Sequence, residues 1–395
     1  MSRFSQARTT LVQILLAVCI FTLANLLVIW FAQQFVPYNV GGYPYKDFVD
    51  QYSLPLLLQP LANFDGAQYI IIAADKYFTY QQAYFPFFPL LIRLFAPVFM
   101  HNYAATGILI SFASLIVGLF LFNGLAGILF PEQNPKKGKL HPLLLVLLVL
   151  PSSFFFSAVY TESLFLLLVV GFLYFLAKKQ IITAAVFAYF ASLTRFAGIL
   201  LLIPVIVELF IHRTKYTTRQ IIILVLGPLT GLLTYMSYLY LTTHDALAFI
   251  NAQTAFSNNR STSAVLLPQV IYRYLKIFTT ANFDFAYVVA LLEFGIFVVC
   301  SALLLAELWR MHKQRAWGGP HGAIILGLLL FSCANLILPT LTGTLSSIPR
   351  YSLLSLSALP VILRMQPWLR RSFVVVAVAL HMIVLALFAQ GWFVS

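Results

Sequence analysis

The 395-residue chain is 61% hydrophobic and only 9% charged, whereas an average soluble domain is about 45–50% apolar and about 25% charged. This composition excludes an ordinary water-soluble fold, and the continuous apolar runs exclude a transmembrane β-barrel, whose strands alternate over about ten residues. The formal charge of +13 suits either an acidic lipid surface or a nucleic acid. No loop is long or basic enough to follow a nucleic-acid backbone, so we predict a bilayer partner and no nucleic-acid partner.

Eleven apolar runs predict one polytopic, all-α transmembrane domain over residues 1–395, a helical bundle with about 11 membrane-spanning helices. The first run follows Arg3 and Arg8. It exceeds the apolar length of a secretory signal and lacks a clear cleavage site, so we interpret it as a retained anchor helix. The runs cover residues 11–36, 104–130, 140–158, 163–177, 181–195, 197–211, 220–242, 285–309, 321–339, 351–363 and 372–392.

The distribution of lysine and arginine predicts the orientation. With the N-terminus in the cytoplasm, 16 of the 24 basic residues lie on the cytoplasmic side and 8 lie outside, as the positive-inside rule requires. We therefore predict a multi-pass protein of the cell membrane, or of the endoplasmic reticulum membrane if the source is eukaryotic. Two long connections then lie outside: residues 37–103, where Gly66 to Ala74 favours a juxtamembrane helix, and residues 243–284.

Metal and cofactor signals are absent from the sequence. Cys19, Cys300 and Cys333 lie in apolar runs without paired spacing or a nearby histidine cluster, so we predict neither disulfides nor a metal site. No P-loop, dinucleotide-binding or zinc-protease pattern occurs, so we predict no cofactor and no nucleotide hydrolysis, and the chain needs an energy source other than ATP.

Asp65 is the first candidate for chemistry. It begins the amphipathic segment NFDGAQYIIIAADKY (63–77), with Gly66 beside it and Tyr69 one turn later. An aspartate at this position is either a helix N-cap that satisfies backbone amides or a catalytic carboxylate that faces the outer side. The local pattern leaves both alternatives open.

Three more charged residues stand at the outer ends of apolar helices. An ionised Glu162 is costly there unless it is paired or faces a wet cavity, and the alternative is a simple cap on the next helix. The guanidiniums of Arg195 and Arg350 either reach lipid headgroups or enter an outward cavity, where their forked donors suit a phosphate.

Four motifs in this order resemble the PIG-V family, the second mannosyltransferase of glycosylphosphatidylinositol assembly and its prokaryotic relatives, within the GT-C superfamily of polytopic glycosyltransferases. The resemblance spans roughly residues 60–362. The motifs are NFDGAQYIIIAADKY (63–77), YFPFFPLLIRLF (84–95), SAVYTESLFLLL (157–168) with LTRFAGILLLIP (193–204), and PRYSLLSLSALP (349–360).

The resemblance implies a GT-C-like fold and transfer of a sugar, mannose in the family, from a polyprenyl-phosphate donor to a lipid-linked or glycan acceptor at the non-cytoplasmic face. It implies that Asp65 is the catalytic carboxylate. One carboxylate suffices for an inverting displacement because the lipid phosphate leaves as a stable anion. Within the motifs we assign substrate binding to Tyr69, Asp75, Glu162, Arg195, Arg350 and Tyr351.

The neighbourhood of Asp65 departs from the family. Its members usually have a basic residue and a tryptophan directly before this aspartate and often a histidine soon after, whereas this chain has Asn63, Phe64 and Gln68. The identity of the acceptor within that class is therefore not predicted, nor is the oligomeric state.

The rival interpretation is a multi-pass lipid or solute transporter or flippase, which would also hold charged residues among many helices. No inverted repeat is found, since the recurrence of NFD at 63–65 and 282–284 is too short. A discriminating observation is whether Asp65, Glu162 and the two arginines meet in one outer cavity with a lateral opening to lipid.

Overall fold

The computed structural model describes residues 3–42, 46–135, 139–253, 261, 263–319 and 321–394. Within these ranges the regular structure is helical and contains no strand, which confirms the predicted all-α class. The α-helices are α1 Arg3–Phe35, α2 Lys46–Asp50, α3 Asp65–Asp75, α4 Phe87–Phe95, α5 Tyr103–Leu129, α6 Pro142–Leu148, α7 Glu162–Ala177, α8 Ile181–Thr194, α9 Leu202–His212, α10 Thr218–Thr243, α11 Ala248–Asn251, α12 Leu267–Thr280, α13 Phe285–Gln314, α14 Gly322–Ile337, α15 Ile348–Ser352, α16 Leu359–Arg364 and α17 Pro367–Ala389.

Seven helical segments of the described chain are long and apolar enough to cross a membrane. The predicted multi-pass membrane protein is thereby confirmed in its coarse form, whereas the count of 11 spans stays a prediction. α7 and α8 are also apolar but have only 16 and 14 residues. The seven segments are Ala7–Phe35, Tyr103–Leu129, Phe196–Lys215, Thr218–Thr243, Phe285–Gln314, Gly322–Thr342 and Pro367–Ala389.

Two of the predicted runs, 140–158 and 351–363, form no single long helix. α6 ends at Leu148, and turns and a 3-10 helix at Ser153–Phe156 follow it, because Pro151 disfavours helical geometry at the residue before it. In the second run, turns and a 3-10 helix at Leu356–Ala358 separate α15 from α16. Most residues of both segments are buried, so much of their apolar character serves the protein core.

Close packing of α10 on α8 depends on two glycines four residues apart. A Cβ atom on Gly231 would lie 2.2 Å from the carbonyl oxygen of Tyr189, and one on Gly227 would lie 2.7 Å from that of Ala185. Small residues at this spacing let two helix backbones approach closely. The contact fixes α8, which ends one residue before Arg195.

The predicted cytoplasmic connections meet at one end of the bundle, which we call the basic end. There Lys179 contacts Glu208 at 2.8 Å, and Arg364 joins Glu307 at 2.7 Å and Glu132 at 3.1 Å. The opposite end, which we call the site end, is where α1 and α8 end and α5 and α7 begin. The side of the membrane on which each end lies stays a prediction.

At the site end, the connection 37–103 contains the short helix that the sequence indicated, α3. Residues 66–73 of α3 are all buried, so the helix packs within the fold, and its position relative to the membrane stays a prediction. The Arg93 side chain of α4 closes its far end, because Nε and Nη2 donate to the carbonyl oxygens of Ala73 at 2.6 Å and Ile72 at 3.0 Å. These contacts hold α3 as a rigid support.

The connection 243–284 contains α11 and α12 and packs beside the segment that leads into α15. The Arg273 Nη1 atom donates to the carbonyl oxygen of Gly343 at 3.0 Å. The hydroxyl of Tyr274 donates to Glu293 at 2.5 Å and accepts from the backbone amide of Leu345 at 3.0 Å. This connection therefore supports the loop that positions Arg350.

Candidate active site

The backbone directly before Asp65 has an uncommon geometry. Phe64 has φ +55°, a region that non-glycine residues seldom adopt and that costs about 1–3 kcal/mol. Neighbouring contacts hold it in place: Asn63 Nδ2 donates to the carbonyl oxygen of Phe388 at 3.0 Å, and the Phe64 ring lies 5.4 Å from the rings of both Phe388 and Phe393. The strained residue turns the chain into α3 so that Asp65 faces inward.

Within the described residues, the Asp65 carboxylate accepts no hydrogen bond from a backbone amide. Phe64 occupies the N-cap position of α3 without a side-chain cap bond. The carboxylate instead forms an ion pair with Arg350 Nη1 and accepts a hydrogen bond from the Tyr84 hydroxyl at 3.1 Å. Burial and the nearby Asp65 carboxylate raise the pKa of Tyr84, so its hydroxyl remains a donor at neutral pH. With its side chain 24% exposed, Asp65 can still be reached by a substrate.

Glu162 begins α7 and is fully buried. Its Oε1 atom accepts from Arg195 Nη1 at 2.9 Å and from Arg350 Nε at 2.8 Å. The positive end of the α7 dipole also favours a carboxylate at this position. Glu162 is therefore an ion-pair partner that holds two arginines, and the alternative of a simple helix cap does not describe its contacts.

Both guanidiniums lie inside the fold rather than at its lipid-facing surface. Arg195 is 9% and Arg350 is 7% exposed. The Arg195 guanidinium lies 4.5 Å from the ring centre of Tyr351, and that of Arg350 lies 4.7 Å from that of Tyr160, distances at which an aromatic face stabilises a cation. The two arginines, Glu162 and Asp65 form a cluster of two positive and two negative formal charges.

The two arginines differ in the donors that they have left for a ligand. Arg350 uses Nε for Glu162 and Nη1 for Asp65, whereas Arg195 uses Nη1 alone. Within the described chain, Nε and Nη2 of Arg195 have no hydrogen-bond acceptor and are not fully enclosed, and Arg195 borders the cavity described next. Arg195 is therefore better placed than Arg350 to bind an incoming anion.

A cavity of about 670 Å³ lies over this cluster, within the usual size range of small-molecule sites. Asp65, Arg195 and Arg350 border one side, and Tyr351 borders it beside them. At the rim, Ile250 and Leu341 are each 36% exposed and Phe393 is 44% exposed. The apolar lining consists of Phe64, Ala83, Phe85, Phe196, Phe249, Ile250, Ala264, Leu338, Pro339, Leu341 and Phe393.

The cavity brings together most of the predicted site residues. Asp65, Tyr69, Arg195, Arg350 and Tyr351 line it, and Glu162 lies directly behind the two arginines. Burial raises the pKa of Tyr69, which keeps its hydroxyl neutral.

One predicted substrate-binding residue, Asp75, is not part of this group. It is the last residue of α3 and is exposed, and ten residues of helix place it about 15 Å from Asp65. Asp75 therefore does not border the cavity, although it lies in the same motif as Asp65.

Sequence reasoning missed two contributors to the site. Tyr84, which bonds Asp65, lies in a quoted motif, but nothing in its local pattern marks it. Gln68 lines the cavity one turn after Asp65, and in the sequence it is notable only as a departure from the family pattern.

The described residues contain no group of three or more histidine, cysteine, aspartate or glutamate side chains that could hold a metal ion. In comparisons with known proteins, no protein-family model, no curated protein and no solved structure matches the chain. The geometry of the cavity and the four sequence motifs are therefore the basis for a function.

Proposed function

We propose that this chain is a GT-C-type glycosyltransferase that moves a sugar, mannose by its resemblance to the PIG-V family, from a polyprenyl phosphate to a lipid-linked or glycan acceptor at the non-cytoplasmic face. One observation carries the proposal: a carboxylate and two arginines meet at a cavity that also has a large apolar lining, which includes Phe196, Phe249 and Leu338. A polyprenyl-phosphate sugar has the same two parts, a charged sugar phosphate and a hydrocarbon chain. The exposed apolar residues at the rim offer the hydrocarbon chain of the donor a path to the bilayer.

Asp65 is the carboxylate suited to act as the base, because it borders the cavity whereas Glu162 is enclosed behind the arginines. In the proposed step, Asp65 removes the proton from an acceptor hydroxyl, whose oxygen forms a bond to the anomeric carbon. The bond from that carbon to the phosphate oxygen breaks, and its electron pair leaves with the phosphate. The configuration at the anomeric carbon inverts.

Arg195 is the residue that we assign to the donor phosphate. Its free Nε and Nη2 donors match the fork geometry that binds phosphate oxygens, and Tyr351 holds its guanidinium in place. Preorganised positive charge stabilises the negative charge that grows on the leaving phosphate. A donor phosphate near Arg350 also competes with Asp65 for the Arg350 guanidinium. The ion pair between Arg350 and Asp65 is then weaker, so the Asp65 carboxylate is released to act as a base only when the donor is bound.

The packing beneath the cavity supports an enzyme over a transporter. The rings of Phe155, Tyr160 and Phe165 lie under the two arginines and are each 1% exposed. A transporter needs a route that can open toward the opposite end of the bundle, and these rings fill that direction.

Asp65→Asn tests the proposed base. Transfer is measured with purified protein in nanodiscs, labelled polyprenyl-phosphate mannose and extracted membrane lipids. General-base catalysis is worth about 10²- to 10⁴-fold, so turnover should fall by that order while donor binding persists. Asp75→Asn, at the exposed end of the same helix, should transfer at the parent rate. A near-parent rate for Asp65→Asn contradicts the base assignment, and no transfer by the parent protein contradicts the function.

Arg195→Lys tests the phosphate site separately. Lysine keeps the charge but loses the fork geometry, and a hydrogen bond to a charged group is worth about 1.5–3 kcal/mol. Donor affinity, measured with a polyprenyl phosphate that carries no sugar, should therefore fall by about tenfold or more. Arg219→Lys, at an exposed position, is the matched control. Unchanged affinity in Arg195→Lys would remove Arg195 from the donor site.

A further inference from the structure

A pair of buried glutamines stands beside the proposed base. Gln68 of α3 is 3% exposed and Gln81 is 6% exposed. Gln81 Nε2 donates to Gln68 Oε1 at 2.8 Å. A buried carboxamide needs hydrogen-bond partners for both its carbonyl oxygen and its amino group.

The direction of this hydrogen bond follows from the backbone. The amide of Phe78, which can only donate, donates to Gln81 Oε1 at 2.9 Å. Gln81 must therefore present its carbonyl oxygen to Phe78 and its amino group to Gln68. Gln68 in turn must accept through its carbonyl oxygen, which leaves its own amino group for another partner.

The amino group of Gln68 faces the cavity. Within the described chain this amino group donates to no acceptor, and it retains some accessible surface. Gln68 itself lines the cavity. Positions three residues apart lie on the same face of a helix, so the Asp65 carboxylate and the Gln68 amino group point the same way. One accepts a proton and the other donates a hydrogen bond.

We propose that Gln68 binds a second oxygen of the acceptor, next to the hydroxyl that Asp65 deprotonates, and thereby selects a sugar or another polyol as the acceptor. An alcohol with a lone hydroxyl, such as a serine or threonine side chain, leaves this donor unpaired. Gln81 is a positioning residue that acts through Gln68. This inference rests on the proposed function, because it gives that function its acceptor class.

The experiment compares acceptors in the transfer assay: octyl α-mannoside, its monodeoxy analogues and a serine-containing peptide. The parent protein should prefer octyl mannoside over one deoxy analogue by about tenfold in kcat/KM, the effect of one hydrogen bond. Gln68→Met, which keeps the length of the side chain, should lose that preference. Its kcat/KM with the disfavoured deoxy analogue should equal that of the parent protein. Gln81→Met should reduce the preference, and the exposed Gln269→Met should keep it.

Three results overturn the inference alone. The first is an unchanged preference in Gln68→Met, and the second is an equal loss of rate with every acceptor, which is the sign of a merely structural residue. The third is equal transfer by the parent protein to the serine peptide and to octyl mannoside. If the parent protein transfers mannose to none of the acceptors and to no extracted lipid, the proposed function fails, and the inference fails with it.

Discussion

Replacing Glu162 with glutamine should destabilise the protein strongly. The Glu162 carboxylate is fully buried and accepts from Arg195 at 2.9 Å and Arg350 at 2.8 Å through one oxygen. Each hydrogen bond between charged groups is worth about 1.5–3 kcal/mol, and breaking a buried ion pair costs about 3–5 kcal/mol. Because the amide oxygen still accepts weakly, we expect the free energy of unfolding to fall by about 3–5 kcal/mol.

Unfolding in mixed detergent micelles measures this loss. The matched control is Glu132→Gln, since Glu132 also pairs with an arginine, Arg364, at 3.1 Å but has a side chain that is 54% exposed. Exposed ion pairs contribute about 0–1 kcal/mol, so the control should unfold almost like the parent protein. If Glu162→Gln loses less than about 1 kcal/mol, the charge of Glu162 is not what holds the two arginines, and the account of the cluster is wrong.

Two further predictions concern the bundle. Gly231→Leu should destabilise the protein by about 1–3 kcal/mol or more, because its Cβ would lie 2.2 Å from the carbonyl oxygen of Tyr189. Gly295→Leu is the control, since a Cβ there would meet nothing within 4 Å. Equal stability of both variants would contradict the close packing of α8 and α10. Cysteines introduced at Asp50 and Lys139 in a cysteine-free background should react with an impermeant reagent from opposite sides of the membrane, whereas labelling of both from one side would contradict the predicted topology.

Local composition was sufficient to predict the fold class and most of the long helices. The runs 11–36, 220–242, 285–309 and 372–392 correspond to α1, α10, α13 and α17, because a long apolar stretch has few alternatives to a membrane helix. The same signal failed at 140–158 and 351–363. Hydrophobicity does not distinguish a segment surrounded by lipid from one surrounded by other helices.

The charged residues of the site could be chosen from sequence because their local context makes them costly. Glu162, Arg195 and Arg350 each interrupt apolar sequence, and such residues need partners. Their partners could not be read in the same way: Arg350 meets Asp65 across 285 positions of the chain, a contact that only the packed bundle creates. Neutral polar residues such as Gln68 carry a smaller local cost, so a single sequence gives no reason to single them out.

The contacts of Asn63 and Phe64 with residues 388 and 393 have a consequence for biosynthesis. The N-terminal part of a nascent chain is synthesised first, so the segment that contains Asp65 reaches the membrane long before α17 does. Until α17 is inserted, the strained turn at Phe64 lacks the carbonyl and the rings that hold it. A ribosome-bound chain arrested before Pro367 should therefore contain Asp65, Glu162 and Arg350 but lack the contacts that hold Phe64 in its strained conformation, so the last helix is needed to complete the first loop.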